Sequence, residues 1–108
     1  MSAKSEYDAA YFTLLRAREE RDDLLHYADF LVAEQERLDR FVEQTQASFE
    51  DLPRKVRRPI DATTKPLLEA VGRRRAVVLD ERRRSGERVA NAEAFVNECE
   101  QELETLRR

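Results

Sequence analysis

The feature of this sequence that most constrains its fold is a heptad pattern that runs without interruption through the first half of the chain. With Tyr7 at position a, the a and d positions hold Tyr7, Ala10, Leu14, Ala17, Arg21, Leu24, Ala28, Leu31, Gln35, Leu38, Val42, Thr45, Phe49 and Leu52. We call the a and d positions the seam. Most seam residues are apolar, and neither glycine nor proline interrupts the run. An apolar repeat of about 3.5 residues sustained over this length predicts one long coiled-coil helix.

A second heptad pattern fills the other half of the chain, and its seam holds Leu68, Val71, Arg75, Val78, Arg82, Ser85, Val89, Ala92, Val96, Cys99, Leu103 and Leu106. Between the two patterns stand Pro53, Pro59 and Pro66, and proline interrupts helical hydrogen bonding. We therefore expect helix 1 over residues 6–52, a turn over residues 53–65 and helix 2 over residues 66–107. The predicted fold is all-α, a single domain built as a long antiparallel two-helix coiled-coil hairpin.

One antiparallel register of the two seams, pivoting at Ile60, matches apolar residues with apolar residues and polar residues with polar ones. It places Leu31 opposite Val89 and Gln35 opposite Ser85. The register also predicts three pairs that bear charge or a hydroxyl: Arg18 with Glu100, Thr45 with Arg75, and Asp39 with Arg82. It sets Arg21 level with Cys99. A buried polar group needs a partner, so this agreement is the main argument for the hairpin.

The e positions beside the seam predict self-association. They hold Tyr11, Leu25 and Val32 on helix 1, and Gly72, Leu79 and Gly86 on helix 2. Charged residues usually occupy e positions of a two-stranded coiled coil. A lone hairpin of this length also buries little apolar surface per residue. We expect a homodimer that forms a four-helix bundle; in the alternative, the glycines are only weak points of the helix.

Apolar side chains also lie outside the seam, at Tyr11, Phe12, Leu15 and Phe30. Single apolar residues on a protein surface are common and need no function. Several of them on one side of one helix are typical of a contact surface for another chain. We predict that these four residues bind a partner protein.

Charge is unevenly distributed along the chain, although its formal net charge is only −3. Residues 1–52 carry 6 basic and 13 acidic side chains, residues 53–88 carry 12 and 5, and residues 89–108 carry 2 and 5. The basic side chains either complement acidic helix 1 or bind phosphates or an acidic protein. The candidate contacts are Arg54, Lys55, Arg57, Arg58, Lys65, Arg73, Arg74, Arg83 and Arg84.

Enzymatic chemistry has little support in this sequence. Asp23 and His26 have the spacing used by metal sites in helix bundles, but both point away from the seam and the motif is not repeated. Cys99 lies on the seam and cannot meet His26, the one histidine in the chain. No glycine-rich phosphate loop is present. We expect no catalytic activity, no cofactor, no metal and no small-molecule substrate.

The chain shows no apolar run near the ~20 residues that would span a membrane, and its first residues lack the apolar core of a signal peptide. One cysteine permits no internal disulfide. We therefore expect a soluble cytoplasmic protein without membrane contact. The predicted function is a non-catalytic adaptor that acts through protein–protein interaction. The alternative is a nucleic-acid-binding or transcription-associated protein that uses the basic turn and the first half of helix 2.

Overall fold

The computed structural model describes residues 2–107 and folds them into two long helices joined by a short turn. Helix α1 spans Ala3–Glu50, and helix α2 spans Arg54–Arg107. The described residues contain no strand. The predicted all-α helical hairpin is therefore confirmed. In this part of the chain, neither helix has a stretch that is long and apolar enough to cross a membrane.

Ser2 caps the start of helix α1 with its side chain and with its backbone carbonyl. The hydroxyl oxygen of Ser2 accepts a hydrogen bond from the amide of Ser5 at 3.2 Å. The carbonyl oxygen of Ser2 accepts another from the amide of Glu6 at 3.1 Å. The first amides of a helix have no partner within the helix, so a serine at this position stabilises the start of α1.

The predicted turn over residues 53–65 is wrong, because the connection between the helices comprises only residues 51–53. Pro53 is the reason α2 begins so early. Its carbonyl oxygen accepts hydrogen bonds from the amides of Val56 and Arg57, at 2.9 and 3.2 Å. Proline lacks an amide proton, but its carbonyl can still start a helix. The chain therefore reverses before the predicted pivot at Ile60, which lies inside α2.

Helix α2 continues through Pro59 and Pro66. Continued backward, the second heptad pattern places both prolines at position f, on the outer side of the helix, and both are exposed. A helical proline leaves the carbonyl four residues earlier without its donor. Those carbonyls belong to Lys55 and Ala62, which are also exposed, so water can satisfy them. Asp61, Thr63 and Thr64, which belong to the stretch predicted as the turn, therefore lie within α2.

Burial along both helices follows the heptad pattern. Every seam residue predicted on α1 is buried or half-buried, and on α2 the same holds except at Arg82, which is exposed. The fully buried residues all lie on the seam: Ala10, Leu14, Ala17, Leu31, Val78, Ser85, Val96 and Cys99. The predicted inward face is therefore correct on both helices except at Arg82.

The chain divides into two compact units. The terminal unit contains residues 2–29 and 83–107 of the described chain, and the turn unit contains residues 30–82. Each unit pairs a segment of α1 with a segment of α2.

The terminal unit is held by a small apolar core. Leu14, Ala17, Val96 and Cys99 form one buried cluster, and Leu103 packs against it. The predicted pair at the edge of this unit is confirmed, because Nη2 of Arg18 donates to Oε1 of Glu100 at 3.3 Å. The Nε of Arg21, which was predicted to lie level with Cys99, donates to Oδ1 of Asp22 at 3.1 Å.

The turn unit is crossed by polar contacts between its two helices. Arg74 Nε donates to Glu34 Oε1 at 2.7 Å, Arg75 Nε donates to Asp39 Oδ1 at 2.6 Å, and Arg82 Nη1 donates to Gln35 Oε1. The predicted pairs of Asp39 with Arg82 and of Thr45 with Arg75 are wrong, since the early turn displaces α2 along α1. The hydroxyl of Ser85, predicted to meet Gln35, is buried in the terminal unit without a hydrogen-bond partner.

Candidate interaction surfaces

Arg57, predicted as a contact for a phosphate or an acidic partner, instead caps helix α1. Its Nε donates to the carbonyl of Leu52 at 2.9 Å, and its Nη2 donates to the carbonyl of Glu50 at 2.7 Å. The last carbonyls of a helix lack partners within the helix and carry its partial negative charge. The last turn of α1 has no basic residue of its own. Arg57 supplies that charge from α2, so we treat it as a structural residue.

The other predicted basic contacts fall into both units. The turn unit contains Arg54, Lys55, Arg58, Lys65, Arg73 and Arg74, and the terminal unit contains Arg83 and Arg84. Arg74 is paired with Glu34. Five of the cations in the turn unit are exposed and form no ion pair among the described residues: Arg54, Lys55, Arg58, Lys65 and Arg73. Positive charge available to a partner is therefore concentrated at the start of α2.

Tyr11, Phe12 and Leu15 form an exposed apolar cluster in the terminal unit, which we call the N-terminal patch. Phe12 is 64% exposed, Tyr11 42% and Leu15 38%. The two rings meet edge to face, with centroids 6.2 Å apart. Leu15 stands four residues after Tyr11 and three after Phe12, and residues three and four apart are neighbours on a helix surface, so these three side chains share one face of α1. That face lies outside the buried seam.

Acidic residues border the N-terminal patch along α1. Asp8 stands four residues before Phe12, and Glu19 stands four residues after Leu15. Residues four apart are neighbours on a helix surface, so each carboxylate lies next to an apolar member of the patch. Both carboxylates are exposed and form no ion pair in the described chain. Arg16 stands four residues after Phe12, so two negative charges and one positive charge border the patch, which combines apolar contact area with a net negative charge.

Phe30, the fourth predicted partner-binding residue, belongs to the turn unit rather than to the unit that contains the N-terminal patch. Its ring is half exposed, and the guanidinium carbon of Arg37 lies 5.9 Å from the ring centroid. This distance is within the range of a cation–π interaction. Phe30 therefore already has a neighbour that covers part of its ring, and we do not group it with the N-terminal patch.

Sequence reasoning missed a set of exposed apolar residues in the turn unit, namely Phe41, Val56, Leu67 and Val77. The heptad pattern carries the signal for all four. Phe41 stands at position g of the first pattern and Val77 at position c of the second, and the second pattern, extended back through the prolines, places Val56 at position c and Leu67 at position g. These positions lie beside one another on the outer side of α2.

An open groove of about 350 Å³ runs along the turn unit. Its lining contains no charged side chain: Phe41, Gln44, Thr45, Ser48, Phe49, Leu52, Ile60 and Thr64. A groove without a titratable group offers neither a general base nor a strong nucleophile. Its apolar walls instead enlarge the contact area next to Phe41.

Cys99 is the one thiol of the chain, and the fold holds it in its protonated form. Burial raises the pKa of the Cys99 thiol, and the carboxylates of Glu102 and then Glu98 raise it further. The thiolate is the reactive form of cysteine, so a raised pKa lowers reactivity. Among residues 2–107, no three His, Cys, Asp or Glu side chains converge as metal ligands.

Each unit thus has a surface that combines exposed apolar side chains with an excess of charge, which is negative in the terminal unit and positive in the turn unit. Comparison of the chain with protein-family models, curated proteins and solved structures finds no match. The functional argument therefore rests on the composition and geometry of these surfaces.

Proposed function

We propose that this chain is a non-catalytic protein–protein interaction protein, an adaptor that binds through apolar side chains outside its helical seam. The observation that carries the proposal is the N-terminal patch. Fully burying one large apolar side chain stabilises a contact by about 1.5–3 kcal/mol. Because the patch lies outside the buried seam, a partner can cover it while the terminal unit keeps its own core.

The proposal includes self-association as a homodimer in which four helices pack together. Within each unit, e positions that would usually be charged are apolar or glycine, and they are exposed: Leu25 and Gly86 in the terminal unit, and Val32, Gly72 and Leu79 in the turn unit. A Cβ added at Gly72 or Gly86 meets no atom within 4 Å. No contact within the chain therefore requires these glycines, whereas the backbone of a second copy could pack closely against them.

The experiment that tests the interaction function replaces Phe12→Ser together with Leu15→Ser. We expect the helical content to stay unchanged, because both side chains are exposed, and partner recovery on the immobilised chain to fall to background. Circular dichroism checks the fold, and mass spectrometry compares the proteins that the variant and the wild type recover.

The matched control for this experiment is Phe95→Ser, which removes another exposed aromatic ring of the same unit. This variant should recover the partner as the wild type does. Recovery that is unchanged by the paired patch substitutions rejects the N-terminal patch as the binding surface.

A second candidate function, nucleic-acid binding, is supported by five exposed cations on α2 that form no ion pair among the described residues, namely Arg54, Lys55, Arg58, Lys65 and Arg73. The chain has no aromatic residue between Phe49 and Phe95, so bases would find no ring to stack on at the start of α2. Binding through this region would therefore depend on contacts to backbone phosphates.

Salt dependence tests this second function. Each phosphate contact contributes about −0.9 to the slope of log affinity against log salt for duplex DNA. Replacing Arg58→Gln together with Lys65→Gln should make that slope less negative by about 1.8, whereas Arg16→Gln in the terminal unit should leave it unchanged. Absence of DNA and RNA binding at low salt rejects the function.

A further inference from the structure

The turn unit presents exposed apolar side chains in a segment that is rich in positive charge. Phe41, Val56 and Leu67 are 39, 40 and 49% exposed. Lys55 directly precedes Val56 on α2 and Arg73 stands six residues after Leu67, and both are exposed without an ion pair among the described residues. We call these five residues the basic face. None of the intrachain contacts described above covers them, so this surface is open to another molecule.

The segments that contain the N-terminal patch and the basic face are complementary in charge. Residues 1–29 carry 4 basic and 7 acidic side chains, whereas residues 53–75 carry 8 basic and 2 acidic ones. Asp8 and Glu19 stand about 16 Å apart along α1, and Lys55 and Arg73 about 27 Å apart along α2, so the acidic pair fits within the span of the basic pair. A contact between the two surfaces would place apolar side chains together between segments of opposite net charge.

We infer that the N-terminal patch of one copy binds the basic face of a second copy. The inference rests on the proposed function, because it names the occupant of the same patch. Apolar burial supplies affinity, while complementary charges select the partner surface and its orientation. Two N-terminal patches would bring Asp8 and Glu19 of both copies together, and two basic faces would bring lysine and arginine together. Like charges oppose both alternatives.

Complementation between defective copies tests this contact. One variant removes the patch, Phe12→Ser with Leu15→Ser, and another removes the apolar part of the basic face, Val56→Ser with Leu67→Ser. We expect each variant alone to self-associate about 30-fold or more weakly than the wild type, the effect of losing a central contact residue. An equimolar mixture retains one intact patch and one intact basic face, so it should form heterodimers. Sedimentation of differently labelled copies measures this directly.

A charge-reversal pair keeps the test valid even if a serine variant unfolds. Asp8→Lys with Glu19→Lys reverses the patch, and Lys55→Glu with Arg73→Glu reverses the basic face; all four positions are exposed. Each reversed variant alone should associate at least about tenfold more weakly at low salt, because like charges then face each other. Mixing the two reversed variants should restore association, and raising the salt concentration should reduce the differences.

The outcomes separate this inference from the proposed function. A photocrosslinking residue that replaces Phe12 in an otherwise unchanged chain should attach to a second copy of the chain. The crosslinked peptide of that copy should contain Val56 or Leu67. Attachment to a different protein overturns the inference and leaves the interaction function standing. Failure to attach to any protein rejects both. A wild-type chain that stays monomeric at high concentration, or mixtures that do not associate, overturn the inference.

Discussion

The terminal unit and the turn unit follow the same heptad pattern, yet different interactions hold their helices together. The terminal unit has a continuous buried cluster of Leu14, Ala17, Val96 and Cys99. The turn unit contains two fully buried apolar residues among those described, Leu31 and Val78. Three of the four members of the terminal cluster are small or β-branched, so its two helix segments meet at apolar atoms rather than through long side chains.

The helices of the turn unit are joined to a larger extent by arginine. Arg75 reaches Asp39, Arg74 reaches Glu34, and Arg82 reaches Gln35. Exposed ion pairs contribute well under ~1 kcal/mol each, whereas burial of apolar side chains contributes several times more. The difference teaches that a heptad pattern predicts which residues face inward, but not how strongly each layer of the seam stabilises the fold.

The largest effect expected from this difference is at Leu14. Leu14→Ala should lower the free energy of unfolding by about 2–4 kcal/mol, because it removes buried methyl groups and leaves a cavity in the terminal cluster. Leu38→Ala, at a half-buried seam position of the turn unit, should cost less than half as much. Urea denaturation followed by circular dichroism measures both losses.

The matched control is Leu15→Ala, which shortens the exposed neighbour of Leu14 and should change stability by no more than about 0.5 kcal/mol. Equal losses for Leu14→Ala and Leu38→Ala would contradict the unequal contributions of the two units.

The next effect concerns the turn. Arg57→Gln should cost about 1 kcal/mol, since the carbonyls of Glu50 and Leu52 lose a charged donor at the end of α1. Hydrogen exchange should accelerate first at the amides of residues 49–57. Arg58→Gln is the matched control, because that neighbouring arginine is exposed and makes no ion pair among residues 2–107. If both variants exchange equally fast, Arg57 does not act as a cap.

A smaller effect, opposite in sign, is expected at the two glycines, one in each unit. Gly72→Ala and Gly86→Ala should each stabilise the dilute chain by about 0.5–1 kcal/mol, because alanine favours a helix interior and the added Cβ meets no atom. Thermal unfolding at low concentration measures the gain. A loss of stability that grows with concentration would instead show that a second copy packs against that glycine.

The inward and outward faces of both helices were predictable because heptad spacing is a local property of the sequence. Any helix formed by these segments exposes Phe12 and buries Leu14, whatever the partner helix does. The same spacing, extended back from Leu68 through Pro66 and Pro59, places Val56 and Leu67 outside the seam.

The turn and the polar partners were less predictable, for physical reasons that lie outside local spacing. A proline inside a helix destabilises it less when the carbonyl four residues earlier is exposed than when that carbonyl is buried. Water can then replace the missing amide donor. The position of the turn then sets the register between the two helices. The chain turns at residues 51–53, before the predicted pivot at Ile60. An arginine side chain is long enough to reach several residues of the facing helix. A small displacement of α2 along α1 therefore brings Arg75 to Asp39 instead of its predicted partner Thr45.

The smallest effect is the coupling between Asp39 and Arg75, and it tests the corrected register directly. Both side chains are about two-fifths exposed, at 39 and 42%. A double-mutant cycle of Asp39→Asn with Arg75→Gln should give a coupling of about 0.5 kcal/mol or less that shrinks as salt is added. The parallel cycle of Asp39→Asn with Arg82→Gln should give no coupling, since Arg82 donates to Gln35. A larger coupling to Arg82 than to Arg75 would return the turn unit to the register that pivots at Ile60.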